Sequence, residues 1–462
     1  MTGGEVSRGS GSGSLRADLR LAWLLTRGSD RREWWRVALT ALGAALATGF
    51  ALAALAVAAI RGYRTIDFAS GLLDRPGERS GVVLALVLLL VPVLGFLGQC
   101  ARVGAVHRDR RLAALRLAGA GAAQVRRIAA LETGLACLLG SVLATVSAVL
   151  FLLREWSHPP VLLWAGIALV ALAVPVAGAL VSVLALRRVV ASPLGRVRRV
   201  APREGRGPGL VFPAMTLFLL GVGVLLAPNT FGGYETAPVL VFSAVIVTGV
   251  AALLLTGATA RYTGRLLAAR TSDPATLIAA ERLRDDPWAA ARTHAAVLLV
   301  TIVGTGFVGI REVLLTSLRE RGRNMMAEDM DFYTTGVDLT GAAVLVALTI
   351  TLCGLGVGTA ESVATRRRGL AAQAAAGVPR AVLGRALLME TALPLAPAML
   401  LAGAGGLLIG GWYGLLAQDG SRSVPYTALL VPPAVYVSCL LAAATSLPLL
   451  RRSVHPAELR YV

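Results

Sequence analysis

The sequence predicts an all-α polytopic membrane protein with about ten transmembrane helices arranged as 4+2+4 around an internal duplication. Three observations carry this. Hydrophobic residues make up 56% of the chain and charged residues 15%, against roughly 25% charged in soluble domains. Apolar runs close to the ~20 residues that a spanning helix needs recur along the whole chain. One polar segment occurs twice, each time just before such a run: Arg108 to Leu135 and Arg366 to Leu393, 258 residues apart and identical at 12 of 28 positions.

The expected spans are 37–60, 82–101, 133–153, 161–186, 210–227, 237–260, 295–310, 339–360, 391–416 and 427–450. The seventh is short and needs its neighbours, through Thr293 and Leu315, to complete it. Residues 1–14 are Gly/Ser-rich and are expected to be a disordered tail. Residues 15–36 carry six Arg ahead of a span too long for a cleaved signal, so the start is expected to stay cytoplasmic. That stretch, with Leu19, Trp23 and Leu25, has a counterpart in Pro274 to Arg292, with Leu277, Ile278, Leu283 and Trp288. Both read either as elbow helices lying in the headgroup region or as simple basic flanks.

Charge tests the topology. With both termini inside, the cytoplasmic segments hold 35 Arg against 14 acidic residues, and the external segments 10 Arg against 12. This positive-inside asymmetry accounts for the net charge of +19 without nucleic acid, for which no partner role is expected. The Arg-rich linker Arg187 to Gly209, broken by Pro193, Pro202 and Pro208, reads as an orientation signal or an anionic-lipid contact. The longest external loops are expected at about 61–81 and 311–338. The second carries Glu312, Glu320, Glu328, Asp329, Asp331 and Asp338, which suit a solvated loop, a cationic ligand or an external partner.

The duplication divides the chain into 15–186, a first four-span block; 187–260, the linker and two intervening spans; and 261–462, a second four-span block. Thr48-Gly49-Phe50 recurs as Thr305-Gly306-Phe307, offset by 257 residues. The pattern Gly406 to Gly410 and the run Gly354, Gly356, Gly358 permit close helix packing.

Several chemistries are excluded by residue type. All 45 basic residues are Arg, so there is no Walker A lysine and no lysine Schiff base. The four Cys lie in or beside spans without CxxC spacing, and the four His form no HExxH, so neither a disulfide framework nor a metal site is expected. The chain is not expected to be an enzyme by itself. None of the ten spans contains Asp, Glu, Lys, Arg or His, which argues against an ion-coupled carrier with a buried proton relay. Energy is then expected from a separate ATPase subunit.

The duplicated segment is the natural docking place. Leu112 to Ala118 is Ala/Leu-rich and helix-forming. Gly119 should stop that helix, and a second helix should start near Ala122 and run through Arg127 and Glu132 into the third span. In the second copy Gly377 and Pro379 supply the break before Arg385 and Glu390. Each glutamate is open to three roles: capping its helix, pairing with Arg127 or Arg385, or standing as a solvated charge.

The run RRLAALRLAGAGAAQVRRIAALETGL resembles the hallmark of FtsX-like ABC transporter permeases, and the resemblance extends over both four-span blocks. It implies a permease subunit of an ATP-driven transporter in a bacterial plasma membrane, both termini cytoplasmic, that exports an amphipathic or lipid-like solute. It also implies two coupling helices, Leu112–Ala120 and Leu370–Val378, seated in a partner ATPase. Docking would then fall on Arg111, Leu112, Leu115, Arg116, Ala118, Gly119 and Ala120, and on Leu370, Gln373, Ala376, Gly377 and Val378, with Arg127, Glu132, Arg385 and Glu390 as interface charges. No cofactor is expected on this chain; ATP and Mg would belong to two ATPase copies, and membrane lipid would be the other partner. One chain already holds both half-sites, so no second permease copy is required. Leu115 and Arg116 become Gln373 and Ala374, which makes the second copy the more diverged and its contact asymmetric. The alternative is a mechanotransmitter that regulates an external hydrolase or a sensor kinase without moving solute.

Overall fold

The computed structural model describes residues 31–63, 72–74, 76–100, 114, 117–156, 159–185, 237–321, 327–416 and 426–453. Every regular element among them is helical. In chain order these are α1 Arg31–Ala59, α2 Pro76–Cys100, α3 Ala122–Glu155, α4 Val161–Ala185, α5 Ala237–Arg270, α6 Pro274–Asp285, α7 Pro287–Arg321, α8 Ala327–Thr365, α9 Arg367–Ala375 and α10 Arg380–Leu416. A 3₁₀ turn, Tyr426–Leu430, leads into α11 Val431–Ala444 and α12 Leu447–Ser453. All-helical structure follows from the solvent: hydrocarbon offers backbone N–H and C=O groups no partners, and a helix satisfies them within itself.

Eight helical segments among the described residues are long and apolar enough to cross a membrane. They overlap eight of the ten expected spans. The expected span 210–227 lies outside the described residues, and 237–260 falls within α5. The expected short seventh span is completed on both sides, because α7 runs from Pro287 to Arg321. The chain is a multi-pass membrane protein. Its outer faces carry the apolar side chains that water would reject, among them Leu143, Leu150 and Phe151 of α3 and Leu169 and Leu172 of α4.

The described helices form two compact units. In one, α1 packs against α3 and α3 against α4. The tightest approach is at Gly140, where an added Cβ would stand 1.9 Å from the carbonyl oxygen of Ala41. Gly178 of α4 similarly lies under the Cys137 side chain of α3, and the Ser141 hydroxyl donates to the Ala171 carbonyl at 2.8 Å. Leu52, Leu152, Leu163 and Ile167 form the apolar centre.

The second unit contains α2 and α5 to α12. Here α7 packs against α10, the same first-to-third pairing as α1 with α3. Glycines again permit it: a Cβ on Gly406 would meet Thr305 Cβ at 2.5 Å, and one on Gly410 would meet Gly309 Cα at 3.0 Å. Helix α5 joins this core through Val245 and Ala252, beside Leu298, Ile302, Leu395 and Ala402. Helix α2 also packs within this unit, with Gly95 against Ala296 of α7 and Phe96 and Gln99 against Gly354 and Gly358 of α8.

One expectation at the helix ends needs correction, and one open choice is decided. The segment 311–338, expected as an external loop, is largely helical: α7 continues to Arg321 and α8 begins at Ala327. Hydropathy reports only the lipid-buried part of a helix, whereas the continuation Arg311 to Arg321 is built from good helix formers. Between the expected elbow and basic flank, Pro274–Asp285 resolves as a helix, α6, in which Ala275, Ala279, Ala280 and Leu283 are buried. Its counterpart before Arg31 lies outside the described residues.

The start of α6 is a side-chain cap. The Asp273 carboxylate accepts from the Thr276 backbone N–H at 3.0 Å and from the Thr276 hydroxyl at 2.7 Å, with Pro274 in the first helical turn. These two bonds, and then Arg385 nearby, hold its pKa below the usual 3.8. A depressed carboxylate contributes stability that is fully present above the unfolded pKa and lost as pH falls through the folded one. Protection of the Thr276 amide from hydrogen exchange should therefore fall only below the ordinary carboxylate range, and Asp273→Ala should abolish it at every pH. At Gly140, substitution by Ala should lower stability by about 1–3 kcal/mol, read as a reduced melting temperature in detergent, whereas Gly49→Ala, with open space at its Cβ, should leave it nearly unchanged.

Candidate functional site

The second copy of the duplicated segment shows the local physics most completely. Helix α8 ends at Thr365, Arg366 breaks the path, and α9 runs for nine residues before the chain turns back into α10. The turn is closed by two backbone bonds: Val378 N–H donates to the Gln373 carbonyl at 3.1 Å, and Gly377 N–H to the Ala374 carbonyl at 3.0 Å. Those are the bonds of a Schellman cap, with Gly377 at φ +94° in the left-handed region. Pro379 then offers its carbonyl to Val382 and Leu383 as α10 begins. The expected helix Leu370–Val378 is thus corrected to Arg367–Ala375. It starts earlier because the break falls at Arg366, and it ends earlier because Gly377 reverses the chain.

In the first copy Arg111, Leu112, Leu115 and Arg116 lie outside the described residues. The turn beyond them is the same. Ala118 N–H donates to the Ala114 carbonyl at 2.9 Å, Gly119 sits at φ +98°, and α3 starts at Ala122. No other described glycine besides Gly62 has a positive φ. The two glycines matched by the sequence repeat therefore share one backbone conformation, which L-residues adopt only at a cost.

Exposure separates the expected docking residues into two kinds. Leu370 is buried among Val363, Leu383, Leu387 and Leu450, with Ala374 and Val378 packed on that cluster, so it seats the hairpin. Ala376 and Gly377 are exposed at its tip, and Gln373 is half-buried. In the first copy Leu117, Ala118 and Gly119 are exposed and Ala120 is half-buried. The exposed tip also includes Ala375 and Arg380, which no feature of the sequence singles out from the many other Ala and Arg.

The helix that leaves each turn carries the same inward stripe. In α3 it is Val125, Ile128, Ala129 and Glu132; in α10 it is Leu383, Ala386, Leu387 and Glu390, position for position in the repeat. The buried Thr133 and Thr391 follow. Glu132 is only 6% exposed and accepts from the equally buried Arg36 of α1. Glu390 is gripped by Arg366 through two parallel bonds of 2.9 Å, Nη1 to Oε1 and Nη2 to Oε2. Arg366 also donates from Nε to the Ser362 carbonyl at 3.2 Å.

Neither glutamate is a solvated charge, and in the second copy Arg385 and Glu390 each pair elsewhere. Arg385 lies 3.9 Å from Asp273 of the α6 cap, while Glu390 belongs to Arg366. Residues five apart on a helix point about 140° away from each other, so Arg385 does not share a face with Glu390. The partners Arg36 and Arg366 were missed because they are distant in the chain, 96 and 24 residues away. The one available signal was their place at the ends of apolar runs.

The site also has neighbours that hold it in place. Thr276 of α6 reaches the Met389 sulfur at 3.5 Å, and Ile278 packs on the cluster around Leu370. The elbow helix, the hairpin and the start of α10 are therefore packed together. Among the described residues there is no cluster of His, Cys, Asp and Glu that would hold a metal ion.

Residues 81–194 match the family model of the FtsX-like permease C-terminal domain. Over these residues the chain is similar to FtsX-like permeases. The match takes in most of α2, the first turn with Gly119, Glu132, and all of α3 and α4. Comparison with curated proteins finds no match. FtsX-like permeases commonly work with a separate ATPase. The second copy, outside the matched range, is tied to the FtsX-like segment by its sequence identity, by the left-handed glycine and by the inward stripe ending in a paired glutamate.

The two pairs should differ in weight. Removing one partner of a buried pair leaves an uncompensated charge and costs roughly 3–5 kcal/mol. Glu132→Gln should therefore destabilise the protein strongly, Glu390→Gln less because that pair is more exposed, and a double Arg36→Met, Glu132→Leu variant should recover most of the loss. Thermal unfolding of the wild type and the three variants in one detergent reads all three outcomes.

Proposed function

We propose that this chain is the membrane subunit of an ATP-driven ABC transporter that exports an amphipathic or lipid-like solute. The observation that carries the reading is the pair of repeat-equivalent turns. Each presents a small exposed tip, and each is backed by a helix anchored inside the membrane domain through a paired glutamate. In the second copy a tip that is pushed cannot simply flex. The Schellman cap and the Leu370 cluster join it to α10, so displacement is passed on to the span.

In this reading two ATPase subunits seat the two hairpins, one each, and supply ATP and Mg. Nucleotide binding favours the conformation in which the hairpins approach each other, and the first, second, seventh and eighth expected spans tilt in response. One chain provides both half-sites, so no second permease copy is needed. Both termini lie on the ATPase side, in the cytoplasm of a bacterial cell, as the positive-inside asymmetry supports.

A second reading has its own observation. At 1.5 Å per residue α7 and α8 extend roughly 50–60 Å, well beyond the ~30 Å hydrocarbon thickness. A projecting helical pair suits transmission of force to an external hydrolase or a sensor kinase, without solute movement.

Ala118 and Ala376 are equivalent in the repeat and exposed at the two tips. Ala118→Glu and Ala376→Glu should leave the fold intact. Each should reduce the ATPase activity of the complex in lipid nanodiscs by about tenfold, in the range of an interface hot spot. Unchanged activity in both variants would sink the docking assignment. Movement of a fluorescent lipid between leaflets in the wild-type complex separates export from transmission.

A further inference from the structure

The extended α7–α8 pair flanks a half-open cavity of about 360 Å³, lined among the described residues by Arg311, Leu315 and Arg319 of α7 and by Met330, Thr334, Val337 and Asp338 of α8. Arg311 and Arg319 lie two helical turns apart on one face of α7, and neither makes a hydrogen bond or an ion pair among the described residues. The nearby carboxylates do not claim them. Glu312 of the same helix is turned to Thr427, accepting from its backbone N–H at 3.2 Å and from its hydroxyl. Asp338, on the opposite wall, forms no ion pair among the described residues either.

Depth decides what such a cavity meets. Arg311 lies 18 residues beyond Thr293, where the apolar part of α7 begins, or about 27 Å along the helix. That is close to the ~30 Å thickness of the hydrocarbon. Arg311 therefore reaches the headgroup level, and Arg319 stands about 12 Å farther out. On α8, Asp338 is about 42 Å from Arg366, so the cavity lies at the end of α8 remote from the hairpin and its glutamate.

We propose that this cavity binds the anionic head of a phosphate-bearing amphiphile. The two guanidinium groups would take the phosphate oxygens by paired N–H bonds, while Leu315, Met330 and Val337 would receive the glycerol and the first methylenes of the chains. Asp338 offsets part of that positive charge among the described lining residues, which suits a monoanionic phosphodiester head better than a multiply charged one. Apolar wall and arginines are both needed, so a free anion fits only half of the site. As a solute-entry site the cavity rests on the transporter reading; as a lipid site it stands without it.

The test measures binding by the full chain alone, so failure of ATPase docking does not affect it. Tritiated phosphatidylglycerol is bound to the chain in an uncharged maltoside detergent. Competitors are unlabelled phosphatidylglycerol, glycerol 3-phosphate, inorganic phosphate and diacylglycerol. The expected result is competition by the phospholipid only, with affinity reduced at least about tenfold in a double Arg311→Gln, Arg319→Gln variant. Asp338→Asn should tighten binding about two- to fivefold, a gain that misfolding cannot produce. Equal competition by inorganic phosphate or glycerol 3-phosphate would overturn the amphiphile in favour of a free anion. Equal competition by diacylglycerol, or binding unchanged in both the arginine and the Asp338 variants, would overturn the site.

Discussion

A carboxylate buried where a helix enters the membrane cannot be left alone, and much of this architecture is arranged around that constraint. Ionised and unpaired, it would cost several kcal/mol. Both units meet the requirement at the same repeat position, Glu132 and Glu390, but with arginines from different places. In the first, Arg36 ties the start of α1 to α3. In the second, Arg366 ties the α8–α9 junction to α10. One pair therefore clamps two spans, and the other clamps the hairpin itself to its span. The two turns share a left-handed glycine and differ in what their glutamates tie together.

The helices meet by close backbone approach, as expected when lipid removes the hydrophobic drive between apolar faces. Gly140 on α3 and Gly406 and Gly410 on α10 leave no room for a side chain. Threonines inside the bundle return their hydroxyls to their own helix, as Thr301 does to the Val297 carbonyl at 2.8 Å and Thr351 to the Ala347 carbonyl at 2.9 Å. Few side-chain bonds cross between helices in mid-span, such as Ser141 to the Ala171 carbonyl and Thr301 to the Met399 sulfur. Polar pairing is concentrated at helix ends: beside Arg36 in the first unit, and in the second beside Arg366 and Asp273 and where Glu312 meets Thr427. A bundle built this way has its specificity at its rims and its shape set by backbone contact in between.

In the second unit α7 and α8 both run past the apolar stretches that hydropathy marks. The pair carries arginines at headgroup depth and beyond, held by helices whose lower parts belong to the main core. A ligand drawn to that cavity would contact α8, which leads to the α9 hairpin, and α7, which follows the α6 elbow helix. The continuity of α8 from Ala327 to Thr365, one residue short of the Arg366–Glu390 clamp, is the physical link between the two ends.

Membrane class, helical content, eight spans and the repeat were legible in the amino-acid sequence because they depend on local quantities: apolar run length, the sign of flanking charge, and matched Gly and Glu at fixed spacing. The left-handed turns at Gly119 and Gly377 were legible for the same reason, since only glycine fits cheaply there. Tertiary structure alone decided the partners of Glu132 and Glu390, because an ion pair between residues 96 or 24 positions apart depends on how helices pack. It alone decided that α2 and α5 pack with the second block, which periodicity cannot report in helices apolar on every side. It also turned the expected acidic loop into helix. Hydropathy measures where a helix leaves the lipid, and hydrogen bonding determines where the helix ends.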